Sequence, residues 1–172
     1  MNYLKITNNN DVIKEGYHFT IEEFWKTKFG GCLDFEIPEC LVDAAEILRE
    51  FYGGPVMITS DYRPNDKFGF HRYLNNTGAV DYLPLTDTIN NIDKFKNECL
   101  NYQNGTGSDL IHNLRSCGVK GFGIESHNCI HLDYRPDINC CDKDEYGMYM
   151  VFSWEADGTP DGKSTVYHKI TK

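Results

Sequence analysis

Residues 58–82 read ITSDYRPNDKFGFHRYLNNTGAVDY, and the fold turns on how this stretch divides. Its first three residues continue Pro55-Val56-Met57, a run apolar on both faces as far as Ser60, which is the pattern of a short buried strand. Asp61 to Gly78 mixes Pro, Asn, Asp, Gly and Lys with aromatics and has no period. A loop of that length is more than a connector, and long ordered loops commonly carry function. Ala79-Val80-Asp81-Tyr82-Leu83 restores a period of two, with Ala79, Asp81 and Leu83 on one face and Val80 and Tyr82 on the other, and Pro84 closes the strand.

Toward the N-terminus, Thr20-Ile21-Glu22-Glu23 is a capping box that starts a short helix carrying Phe24 and Trp25, with Gly30-Gly31 as its stop. Pro38 suits the first turn of a second helix, in which Leu41, Ala44, Ala45, Leu48 and Tyr52 recur at helical spacing before Gly53-Gly54. Toward the C-terminus, Ile89, Ile92, Phe95 and Cys99 predict a third helix, and Leu110, Ile111, Leu114 and Cys117 a fourth. Val119 to Ile124 and Cys129 to Tyr134 read as strands of a hairpin joined by a polar segment. After an unpatterned loop from Arg135 to Tyr146, strands follow at Gly147 to Trp154 and Ser164 to Ile170. This order predicts one α+β domain spanning residues 1–172, with helices packed on a small, mostly antiparallel sheet.

Composition narrows the function classes. The chain has 172 residues, enough for one core, and 40% aliphatic and aromatic residues, as a folded domain requires. Its net charge of −9, without a basic block, argues against nucleic acid and anionic membranes as partners. No stretch approaches the roughly 18 apolar residues of a membrane span, and the N-terminus has no signal-peptide core, so synthesis in the cytoplasm is expected. Seven cysteines, an odd number without a C-x-x-C pair, read as free thiols; Cys140-Cys141 is a weak signal for a structural zinc. The oligomeric state is not encoded in any of these features.

Ile130-His131-Leu132-Asp133 supplies a second His on a strand. His71, Asp81 and His131 then form the set of three protein ligands that a catalytic zinc ion takes while leaving a fourth position open. The alternative is an unrelated loop His, strand His and solvated Asp. Asp133, two residues past His131, shares its strand face and could orient its imidazole.

Ser60-Asp61-Tyr62-Arg63, His71, Ala79-Val80-Asp81 and Ile130-His131-Leu132-Asp133, in this order, resemble the zinc peptidase family of D-alanyl-D-alanine carboxypeptidases and L-alanyl-D-glutamate endopeptidases, which shares the hedgehog-type fold. The likeness covers roughly residues 17 to 135. It implies Zn2+ on His71, Asp81 and His131, Arg63 as the group that engages a substrate carboxylate or carbonyl, and a peptidoglycan stem peptide as substrate. Arg suits that role because its planar fork pairs bidentately with a carboxylate; a structural ion pair is the alternative. Two features depart from the family pattern. His71 and Asp81 are ten positions apart where the family has seven, and Asn128 stands where many relatives carry the acid that takes a proton from water. Glu125, and after it His127, are the candidates for that base.

The resemblance thus implies an amide hydrolase of cell-wall peptides, of carboxypeptidase or endopeptidase type. The small size and absent signal segment suit a phage-type lysis enzyme brought to the wall by other proteins, or an intracellular recycling enzyme. The alternative is a zinc-stabilised, catalytically inactive binding or virion-structural module of the same fold. A third reading is a globular protein without zinc.

Overall fold

The alternation in residues 79–83 becomes one strand of a six-stranded sheet. A computed structural model of the chain describes residues 2–27, 33–64, 71, 78–125, 129–134, 152–156 and 165–169, with the backbone alone for Gln103, Glu125 and the last two segments. In chain order the elements are β1 (Tyr3–Ile6), α1 (Ile21–Trp25), β2 (Phe35–Pro38), α2 (Glu39–Tyr52), β3 (Val56–Ser60), β4 (Gly78–Pro84), α3 (Thr88–Gln103), α4 (Asp109–Cys117), β5 (Gly121–Glu125), β6 (Ile130–Tyr134), β7 (Phe152–Ala156) and β8 (Thr165–Lys169). The main sheet has the order β3-β4-β6-β5-β7-β8 and is antiparallel except where β5 meets β7; β1 and β2 form a separate antiparallel pair. The coarse class is therefore α+β, as the sequence pattern predicts.

One face of the sheet is apolar and lies under the helices. Val80, Tyr82, Phe122, Ile124, Ile130 and Leu132 share a core with Leu41, Leu48, Phe95, Ile111 and Leu114. Burying each such large side chain contributes about 1.5–3 kcal/mol. The Tyr82 hydroxyl donates to the Leu41 carbonyl and so ties β4 to α2. The helices end where their chemistry says: the Glu23 carboxylate accepts the Thr20 amide at 2.8 Å to start α1, and Gly53, at φ 61°, stops α2 in a left-handed conformation that other residues resist.

Several expectations need correction. Pro38 ends β2 and caps α2 rather than entering its first turn. Met57 is exposed, because β3 lies at the sheet edge and is covered on one face only. Ile89 also faces outward, while Ile92, Phe95 and Cys99 carry the buried stripe of α3. The β1–β2 pair carries no strong alternation and is absent from the sequence-based expectation. Gly30-Gly31, the 135–146 loop and residues 147–151 lie outside the described residues. Cys40, Cys99 and Cys117 are free thiols; Cys32, Cys140 and Cys141 lie outside the described residues.

Candidate metal centre

The other face of the sheet is built for polar groups. Cross-strand register sets Ser60 against Asp81, Asp81 against His131, and His131 against Gly123, so these four residues form one row across β3, β4, β6 and β5. A second row runs Ala79, Asp133, Gly121. Asp81 and His131 are thus direct cross-strand neighbours, with Cβ atoms about 4.5–5.5 Å apart, and Asp133 stands between two residues with little or no side chain. A Cβ on Gly121 would lie 1.9 Å from Asp133 Oδ2, so the carboxylate occupies the space a side chain would need.

A bulge in β3 between Ile58 and Ser60 re-aims the chain as it leaves the sheet, and the Thr59 hydroxyl donates to the Asp81 carbonyl at 3.1 Å across it. Beyond the bulge, residues 61–63 form the seat for His71. The Arg63 amide donates to the His71 carbonyl at 2.8 Å, and the His71 ring Nδ1 is 2.7 Å from the Asp61 carbonyl. A carbonyl only accepts, so Nδ1 carries the proton and Nε2 is left with a lone pair.

That lone pair has no hydrogen-bond partner among the described residues, although Nε2 is buried. It lies 3.4 Å from Asp81 Oδ1, which in turn lies 2.8 Å from His131 Nδ1. The three donor atoms fall within 4.8 Å of one another, and the two rings meet edge to face with centroids 5.2 Å apart. His131 Nε2 faces Asp133 Oδ2 at 3.4 Å, and Asp133 is fully buried. An Arg63 guanidinium nitrogen is 3.4 Å from Asp81 Oδ2.

Burial alone would raise the Asp81 carboxyl, but the two adjoining imidazoles, with His131 hydrogen-bonded to it, outweigh burial and hold the group well below the usual carboxylate range. Burial pushes His71 below its ordinary value despite the pull of Asp81. For His131 burial acts in the same direction but loses: hydrogen bonds to Asp133 and Asp81 raise it to about 9. At neutral pH the metal-free cluster therefore holds a neutral His71, an ionised Asp81 and a protonated His131 between two carboxylates. Burial pushes Asp61 up to about 8, against hydrogen bonds from Thr27 and the Tyr62 amide.

The arrangement brings together five of the seven candidate residues: His71, Asp81 and His131 as a buried group that could hold a metal ion, with Asp133 on one imidazole and Arg63 on the shared carboxylate. Glu125 ends β5, two positions past Gly123, and its backbone alone is described; His127 lies outside the described residues. Sequence reasoning misses Thr27, Asp61 and Gly121. The last had a usable signal, since Gly-x-Gly inside a strand marks close approach of another group. Compared with protein-family models, with curated proteins and with solved structures, the chain has no match in any of the three.

Proposed function

We propose that the chain is a zinc-dependent hydrolase of amide bonds in peptidoglycan stem peptides. The observation that carries the metal part is the orphaned, buried lone pair of His71 Nε2, facing an ionised Asp81 oxygen with no proton between them. A cation between the two satisfies both. Two nitrogens and one carboxylate oxygen suit zinc, and donors at zinc distances of about 2.0–2.1 Å in tetrahedral geometry stand about 3.3 Å apart. The 3.4 Å separation of His71 Nε2 and Asp81 Oδ1 fits that value, and the 2.8 Å separation from His131 Nδ1 is the hydrogen bond an ion would replace. Asp133 keeps the second His131 nitrogen engaged, as the partner of a metal-bound imidazole does.

The substrate class is supported by the order of segments 60–63, 71, 79–81 and 130–133, which resembles that of the cell-wall zinc peptidases. When bound, zinc supplies Lewis acidity toward the scissile carbonyl and a lowered pKa for water beside it. Arg63, about one-third exposed and anchored at Asp81, offers its guanidinium to a substrate carboxylate or carbonyl. Glu125 accepts the proton of the attacking water and returns it to the leaving amine nitrogen. Release of D-Ala or cleavage of a muropeptide, abolished by chelator, restored by zinc and lost in Glu125→Gln, is the expected result. Stoichiometric zinc without turnover on any stem peptide refutes the hydrolase.

One observation favours the second reading, a zinc-stabilised module without catalysis. Asn128 stands where many of the resembled peptidases carry an acid, and the two further acids at the site are both buried and engaged, Asp61 with the Thr27 hydroxyl and Asp133 with His131.

A further inference from the structure

His71 differs from its two companions in having no sheet to place it. Asp81 and His131 are fixed by cross-strand register, whereas His71 sits in the segment between β3 and β4. Its ring is oriented by one hydrogen bond, from Nδ1 to the Asp61 carbonyl. Asp61 itself lies just beyond the last residue of β3, so no ladder partner fixes its peptide plane.

We propose that Thr27 and Asp61 are positioning residues that hold His71 in the tautomer and orientation needed to bind zinc through Nε2. The Asp61 carbonyl and the Tyr62 amide belong to one peptide unit. The carbonyl of that unit receives His71 Nδ1–H at 2.7 Å. The Asp61 carboxyl group is held by the Thr27 hydroxyl, which donates to Oδ1 at 3.0 Å in a buried contact spanning 34 residues of sequence. Thr27 follows directly after α1 and its cap Lys26, and both it and Asp61 are almost fully buried. A buried carboxyl group engaged by a hydroxyl has few other orientations open to it, so the Asp61 side chain, its carbonyl and the imidazole are fixed in sequence. In the other tautomer Nε2–H would replace the lone pair and repel a cation, and with the ring turned over a C–H edge would face the site.

The proposal rests on the metal reading above and is independent of peptide hydrolysis. Zinc affinity measured by competition with a chromophoric chelator tests it on wild type, Thr27→Val and Thr27→Ser. Thr27→Val keeps the shape and removes the hydroxyl; it is expected to bind zinc about 10–100-fold more weakly, while Thr27→Ser stays within about threefold of wild type because it keeps the hydroxyl. A contact that merely joined α1 to β3 would lower the melting temperature of Thr27→Val and leave zinc affinity unchanged, which overturns the proposal. Nitrogen-15 NMR of the metal-free wild type gives a second readout that does not depend on the variant folding. His71 protonated on Nδ1 is expected, and protonation on Nε2 instead overturns the proposal. A wild-type protein that takes up no zinc refutes the metal reading itself, and the relay with it.

Discussion

Zinc uptake should be coupled to the loss of a proton from His131, and the coupling can be counted. Hydrogen bonds to Asp133 and Asp81 overcome burial and raise this imidazole from 6.5 to about 9 in the metal-free protein. The difference corresponds to about 3 kcal/mol favouring the protonated form. That stabilisation is fully present below pH 6.5, where the unfolded chain is protonated too, and is lost as pH rises through 9. A metal ion needs the same Nδ1 that carries the proton facing Asp81 Oδ1. Between pH 7 and 9 proton and metal therefore compete, and apparent zinc affinity should rise about ninefold from pH 7 to 8 and about fivefold from pH 8 to 9, or about 50-fold across the window.

Calorimetry in two buffers of different ionisation enthalpy counts the protons released. Water bound beside the metal also loses a proton near neutral pH, so the wild type is best read against Asp133→Asn. That change removes one of the two carboxylates flanking His131, brings its pKa back toward the ordinary value, and leaves the water contribution in place. At pH 7.5 Asp133→Asn should release up to about one proton fewer than wild type and show a shallower rise in affinity with pH. Equal proton counts in the two proteins, or an affinity flat from pH 7 to 9 in the wild type, would refute the account of a proton held between Asp81 and Asp133.

Two further changes separate the site face of the sheet from the core face. Gly121→Ala places a Cβ 1.9 Å from Asp133 Oδ2 and 2.3 Å from its Cγ, so the carboxylate must leave its seat; a loss of about 1–3 kcal/mol in denaturant unfolding and at least about tenfold weaker zinc binding are expected, and wild-type zinc affinity would contradict the role given to Asp133. Tyr82→Phe removes the hydroxyl that donates to the Leu41 carbonyl on the opposite face; it should cost about 1–2 kcal/mol of stability with zinc affinity unchanged, and a matched loss of zinc binding would mean that the two faces are not separable.

Legibility from sequence followed the range of the interactions. The helix at 39–52 and the strand at 78–84 are written in local periodicity and in the Gly and Pro that end them, so their existence and inner faces could be read directly. The β1–β2 pair could not: four residues at the N-terminus meet four residues about thirty positions later, and neither Tyr3–Ile6 nor Phe35–Pro38 alternates strongly. Met57 was misplaced because a strand reads the same at an edge and at the centre of a sheet, and only the strand order tells them apart. At the site, His71, Asp81 and His131 were legible as candidate ligands because His and Asp are the residue types metal chemistry demands. Thr27 and Asp61 were not, since a hydroxyl after a helix and an Asp after a strand have no distinctive pattern until the fold brings them to 3.0 Å.

The unusual spacing of His71 and Asp81 has a physical resolution. Asp81 and His131 are cross-strand partners, so their separation is set by sheet register, and no loop length enters it. His71 is seated against residues 61–63 by its own backbone and ring hydrogen bonds, so its position depends on the exit of β3. His71 and β4 are thus each placed by contacts outside the segment that joins them. Going from three residues between His71 and β4 to the six of this chain costs about 0.6 kcal/mol in closure entropy, since the term grows as (3/2)RT ln n. That is small beside the cost of burying three mutually dependent polar side chains without a partner, at about 1–3 kcal/mol each. Register is the sensitive quantity: a one-residue slip of β4 against β6 would turn Asp81 to the core face and abolish the cluster. A cluster assembled this way tolerates insertions between His71 and Asp81 and forbids them within either strand.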